Sequence, residues 1–183
     1  RILHVFFMKK HKKKVKKMSE NKIALLYYSR TDNTKMLAEF FKEKFKEKNI
    51  DIDLIRLHAK KRPSFFKAIS SARNQEELSV SNDLDLSSYQ TWIFAMPSWA
   101  YFPAPFYKTI LKNQSDLDSK QIAIILCAGV SIKRNIITMQ RFKDELESIG
   151  VLSIADIIII VRKKEIIDGR QELDTFINKI STN

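Results

Sequence analysis

Four side chains that bind anions well crowd into one short stretch. In "YYSRTDNTKM", residues 27–36, Ser29, Thr31, Asn33 and Thr34 each offer a hydroxyl or an amide just after an apolar run. Any one of them caps a helix, and one helix needs one cap. The surplus suggests a second use. The first N–H groups of a helix are unpaired and its dipole is positive there, so a helix start receives a phosphate or carboxylate well. A second stretch, "AMPSWAYFPAP" (95–105), combines three prolines with Trp99, Tyr101 and Phe102. Prolines stiffen a loop, and aromatic faces on a stiff loop suit stacking against a flat ring. A plain structural role competes in each case: an over-capped helix in the first stretch, core packing in the second.

The elements that position these residues follow from apolar spacing. "KIALLYY" (22–28), "TWIFAM" (91–96), "QIAIILC" (121–127) and "VLSIADIIIIV" (151–161) are near-continuous apolar runs, as strands buried on both faces require. "IDIDLIRL" (50–57) alternates Ile50, Ile52 and Leu54 with Asp51 and Asp53, which predicts an edge or half-wet strand. Between the strands lie helical patterns. One carries Met36, Leu37, Phe40, Phe41 and Phe45; a second starts at Pro105 with Phe106, Tyr107, Ile110 and Leu111. A third carries Met139, Phe142, Leu146 and Ile149, and the last carries Leu173, Phe176, Ile177 and Ile180 after Asp168-Gly169. Residues 59–90 are less regular and predict a partial helix around "SFFKAI" and a long loop.

Strands alternating with helices predict an α/β fold, a parallel sheet wrapped on both faces. In such sheets ligands bind beyond the carboxyl ends of the strands, where the winding reverses. For a five-stranded order of 2-1-3-4-5 that point lies between strands one and three, which places both stretches at one site.

Other chemistries fit less well. Only three glycines are present, and neither G-x-G-x-x-G nor G-x-x-x-x-G-K-[ST] occurs. Cys127 invites a phosphatase reading, but position 133 is Lys where that signature needs Arg, and the cysteine ends strand four; a core thiol is the expectation. His4, His11 and His58 are scattered, so no metal site is expected, and Asp51 and Asp53 sit on strand two, where they face solvent rather than build a phosphoacceptor.

The formal net charge of +12 is concentrated. Residues 1–17 hold eight Lys/Arg and no acid, leaving 25 basic against 21 acidic residues, or +4, for the remainder. The arm could contact nucleic acid or anionic lipid, but its apolar hexamer is too short to span a membrane and its charge follows rather than precedes it. The expectation is a basic arm over residues 1–20, disordered or outside the functional domain, with one domain over 21–183. No nucleic-acid partner and no membrane span are expected. A single cysteine suits a reducing, cytoplasmic setting.

"YYSRTDNTKMLAEFF" and "AMPSWAYFPAPFYKTIL" resemble the two flavin mononucleotide (FMN) loops of the flavodoxin family, whose first loop has the form S/T-x-T-G-N-T and whose second runs G-S/T-P-x-W/Y-A-G-x-P-A-P. "CAGVS" (127–131) falls where a third loop follows strand four, and "KKRPSFFKAI" looks like the insert of a prokaryotic branch. The resemblance implies a flavodoxin-like three-layer sandwich. By position it implies that Ser29, Arg30, Thr31, Asn33 and Thr34 hold the phosphate of FMN. Pro97, Ser98, Trp99, Ala100, Tyr101 and Phe102 would line the ring, and Ala128 and Gly129 would offer backbone groups to its edge. Asp32 and Tyr101 depart from the pattern, each standing where glycine is usual, and both departures put the strength of binding in question. The implied function is electron transfer between redox partner proteins or to a small acceptor. The alternatives are a nicotinamide-dependent quinone or flavin reductase, and a flavin-free interaction protein that keeps the fold.

Overall fold

The computed structural model describes residues 22–114, 116–129, 132–161 and 170–181. The basic arm, Val130, Ser131 and Asp168-Gly169 lie outside the described residues.

The strands are β1 (Ile23–Tyr27), β2 (Ile52–Arg56), β3 (Thr91–Trp99), β4 (Phe102–Pro103), β5 (Gln121–Ala128) and β6 (Ser153–Val161). The helices are α1 (Asn33–Glu47), α2 (Phe65–Asn74), α3 (Phe106–Lys112), α4 (Ile132–Ser148) and α5 (Arg170–Ser181). The sheet runs β2-β1-β3-β5-β6 with every neighbour parallel, and β4 pairs antiparallel with β3 alone. Counted over the long strands this is the order 2-1-3-4-5. The chain has the flavodoxin-like α/β fold.

Side chains alternate across the sheet with period two, and each set meets its own helices. Ala24, Leu26, Trp92, Phe94, Met96, Ile122 and Ile124 pack with Phe106, Tyr107, Ile110 and Leu111 of α3 and with Phe142 and Leu146 of α4. Ile23, Leu25, Ile93, Ala95, Ala123 and Ile125 face Leu37, Ala38, Phe41 and Phe45 of α1 and Leu173, Phe176, Ile177 and Ile180 of α5. All five residues of β1 are buried, as a central strand between two helix layers must be. β2 is an edge strand with Ile52 buried and Asp53 exposed, as its alternation predicts. Met36 departs from expectation: it is 41% exposed and off the apolar face of α1.

Residues 59–90 contain one helix between two laced ends. Ala59 bridges Val80, Lys60 N–H donates to Ser79 O at 2.9 Å, and Ser81 N–H to His58 O at 2.8 Å. The Asn82 side chain accepts from His58 N–H at 2.7 Å and donates to Arg56 O at 2.8 Å, so it caps the end of β2. At the amino ends of the strands Lys120 is almost fully buried. Its Nζ donates to Ser87 O (3.2 Å) and Tyr89 O (3.1 Å), pairs with Asp116, and lies 5.5 Å from the Trp92 ring centroid.

Candidate functional site

The loop from β1 to α1 leaves the sheet between β2 and β3, where the winding reverses. Tyr28 N–H still donates to Ala95 O at 3.2 Å, so β3 holds the loop down at its first residue. Ser29 comes next, 8% exposed, with an Oγ that is buried and has no hydrogen-bond partner. Arg30 is half-buried, Thr31, Asp32 and Asn33 are exposed, and Asn33 Nδ2 donates to Thr31 Oγ1 at 3.4 Å. The N-cap is Asp32, not one of the hydroxyl residues, and its side chain makes no capping bond. Asp32 has φ 59°, the left-handed region that the glycine usual at this position adopts freely. The result is a helix start without a side-chain cap beside an unpaired buried hydroxyl.

Cations gather around this loop. Burial raises the Tyr28 phenol above its ordinary pKa, and the positive charges of Arg62, then Arg30, then Arg56 oppose that rise. Arg62, from the chain after β2, donates through Nη2 to Arg30 O at 3.4 Å. Three guanidinium groups therefore stand against the one carboxylate of Asp32.

The second stretch is a tight hairpin rather than a stiff open loop. β3 continues through Pro97 and Ser98 to Trp99, and the chain turns over Ala100 and Tyr101, with Trp99 opposite Phe102 and Ser98 opposite Pro103. Ala100 (φ 52°) and Tyr101 (φ 75°) are both left-handed, as a two-residue hairpin turn of the primed kind demands. Ala104 N–H donates to Pro97 O at 3.0 Å and ties the returning strand to β3. Trp99 is half-buried and engaged. Its ring meets Tyr28 edge-on at 5.7 Å and Phe106 at 6.1 Å, while Tyr28 and Phe106 stack at 4.1 Å. Packing thus accounts for part of Trp99, and its half-exposed remainder is what a ligand could meet. Ala100, Tyr101 and Phe102 are also half-exposed.

The third loop begins at Ala128, buried at the end of β5, and Gly129, exposed and with open space where a Cβ would stand. Pro97 lies beside Cys127 in register, so the second and third loops leave the sheet side by side. Burial raises the Cys127 thiol pKa, and a hydrogen bond from the Thr34 hydroxyl offsets part of the rise. A thiol held protonated is no phosphatase nucleophile. Thr34 is 2% exposed, and its bond to Cys127 joins the first turn of α1 to the end of β5.

Ser29–Thr34, Pro97–Phe102, Ala128 and Gly129 all lie at the carboxyl edge of the sheet, at or just beyond the ends of the neighbouring strands β1, β3 and β5. Arg56 and Arg62 were missing from the sequence-based site, since Arg56 ends β2 and Arg62 lies in the chain after it; for Arg62 the run "KKR" at 60–62 was the available signal. Among the described residues no group of His, Cys, Asp and Glu could hold a metal ion, and no helix is long and apolar enough to cross a membrane.

No protein-family model and no curated protein matches the sequence. Solved structures do match the fold. A candidate flavoprotein from Bacteroides uniformis superposes with a TM-score of 0.61 at 14% identity, covering 82% of this chain and 98% of that one. The Trp repressor binding protein from Bacillus subtilis gives 0.53 at 18% identity, over 86% and 99% of the two chains. Oxidised flavodoxin 2 from Bacillus cereus gives 0.53 at 16% identity, again over 86% and 99%. At these identities the likeness establishes the fold.

Proposed function

We propose that this chain binds FMN at the carboxyl edge of the sheet and transfers electrons between redox partners. The observation that carries the reading is the buried, unpaired Ser29 hydroxyl at the uncapped start of α1. Burying a polar group without a partner costs about 1–3 kcal/mol, and a phosphate oxygen would relieve that cost. In this reading Ser29, Arg30, Thr31, Asn33 and Thr34 surround the phosphate, with Arg62 and Arg56 adding charge and Asp32 opposing it. Thr34 contributes through its backbone N–H, because its hydroxyl is engaged by Cys127. Pro97, Ser98, Trp99, Ala100, Tyr101 and Phe102 line one side of the ring, and Ala128 and Gly129 present backbone groups to its edge. FMN, when bound, supplies the redox chemistry; the protein holds it, limits its contact with water and tunes its potential.

Titration of ligand-free protein with FMN and with riboflavin, read by quenching of flavin fluorescence, tests the site. FMN should bind at least about tenfold more tightly than riboflavin, since phosphate contacts supply that difference. Equal affinities would remove the phosphate site, and failure of both at micromolar concentration would leave the flavin-free interaction protein. Adding reduced nicotinamide to the loaded protein separates carrier from reductase. A carrier leaves the bound flavin oxidised over minutes, whereas turnover with a quinone acceptor would favour the reductase.

A further inference from the structure

We propose that the start of α2 is a docking surface for an acidic redox protein, which seats beside the flavin site; the redox identity of that partner rests on the function proposed above. Phe65 and Phe66 are 61% and 82% exposed, with rings edge-to-face at 5.8 Å. They are not spare core residues, because α2 buries Ala68, Ser71 and Ala72 instead. Ser64 fixes the pair in place by accepting a hydrogen bond from Lys67 N–H at 3.3 Å. Large apolar side chains presented on an ordered helix end mark a contact surface.

The rim is cationic. Lys60, Lys61 and Arg62 lead directly into the helix, and Arg62 reaches Arg30 O, which brings this tip against the first loop of the site. Arg56 belongs to the same cluster around Tyr28. Among the described residues, Arg30, Arg56, Lys60, Lys61 and Arg62 form no ion pair, whereas Lys67 pairs with Glu76. An apolar centre with a charged rim is the anatomy of a protein interface, and its sign selects a partner of opposite charge. A second copy of this chain would set like charges against one another. An anionic bilayer shares the charge, but one lying across this tip would also cover the loop at which the flavin binds. The position therefore favours a protein that must come near the flavin.

The test uses the isotope-labelled full chain, with and without FMN, titrated with an acidic plant-type two-iron ferredoxin. Basic cytochrome c and phosphatidylglycerol vesicles serve as controls. Amide shifts should concentrate at Lys60–Lys67 and Arg30 with the ferredoxin. Binding should weaken at least about tenfold between roughly 50 and 300 mM salt. The double variant Phe65→Ser, Phe66→Ser should lose about tenfold in affinity with its spectrum otherwise native, and Lys60→Glu with Lys61→Glu should lose at least as much. Shifts elsewhere, none at all, or equal binding of cytochrome c overturn the proposal. So do vesicles that perturb Lys60–Lys67 when the ferredoxin does not. Absence of FMN binding with the ferredoxin shifts intact would defeat the flavin reading and leave the docking surface standing.

Discussion

Ser29 holds a hydroxyl that the protein buries and does not pair, so its removal should act in opposite directions on two measurements. Ser29→Ala should raise the stability of ligand-free protein by about 1 kcal/mol in urea unfolding and weaken FMN binding by a similar amount. A loss of stability would mean that the hydroxyl is satisfied. Asp32, Ala100 and Tyr101 occupy the left-handed region, where an L side chain costs about 1–2 kcal/mol and Asp somewhat less. Ala100→Gly should therefore raise stability by about 1 kcal/mol, seen as a higher urea midpoint at unchanged slope. Asp32→Gly should tighten FMN binding severalfold in the same fluorescence titration, because a like charge goes and backbone freedom returns. Two of these three residues were visible in the sequence, since Asp32 and Tyr101 replace glycine in recognisable loops. Ala100 was not, because nothing in an alanine announces positive φ.

Among the elements, the strands and helices announce themselves by period, and the small devices that join them do not. The four buried runs and the alternating β2 fix the sheet, and the apolar spacings of α3 and α5 match their buried faces residue for residue. The β3–β4 hairpin was hidden because its sequence carries prolines and aromatics in place of the Asn-Gly or Asp-Gly that such turns favour. The uncapped start of α1 was hidden too, because several good caps lie beside it and the fold uses none. Lys120 gave no signal either, since a lysine before a strand ordinarily faces water. Lys120→Met should cost about 1–2 kcal/mol in unfolding, because the carbonyls of Ser87 and Tyr89 lose the donor that the buried ammonium supplies while the stem volume is kept. Glu76, held low in pKa chiefly by its hydrogen bond from Lys67, follows the acid-side rule. Its contribution is present above the unfolded carboxylate pKa and lost as pH falls through the lower folded value. Lys67→Met should flatten that acid limb of a stability–pH curve without altering its alkaline side.

Taken whole, the molecule carries its positive charge unevenly along the chain. Of the net +12, the segment 1–17 carries +8. That segment supplies no periodic apolar face, so deleting it should leave the unfolding midpoint and the FMN affinity unchanged within error; a drop in either would place the arm in the domain. The cations of the proposed docking surface, Arg56 and Lys60–Arg62, lie close to the first loop. Salt should therefore weaken partner binding more than FMN binding, because exposed rim charges are screened and phosphate contacts at a helix start are partly sheltered.

The hydrogen bond between Thr34 and Cys127 makes the lone cysteine a clock. The half-buried thiol, its pKa raised by burial, should react slowly with a disulfide reagent, and mainly when the first turn of α1 lifts from the end of β5. The labelling rate then counts such openings, one signal from one site. A ligand seated on that turn would lower the labelling rate in proportion to its occupancy. Occupancy could thus be followed by mass spectrometry on unmodified protein, including with ligands that neither absorb nor fluoresce.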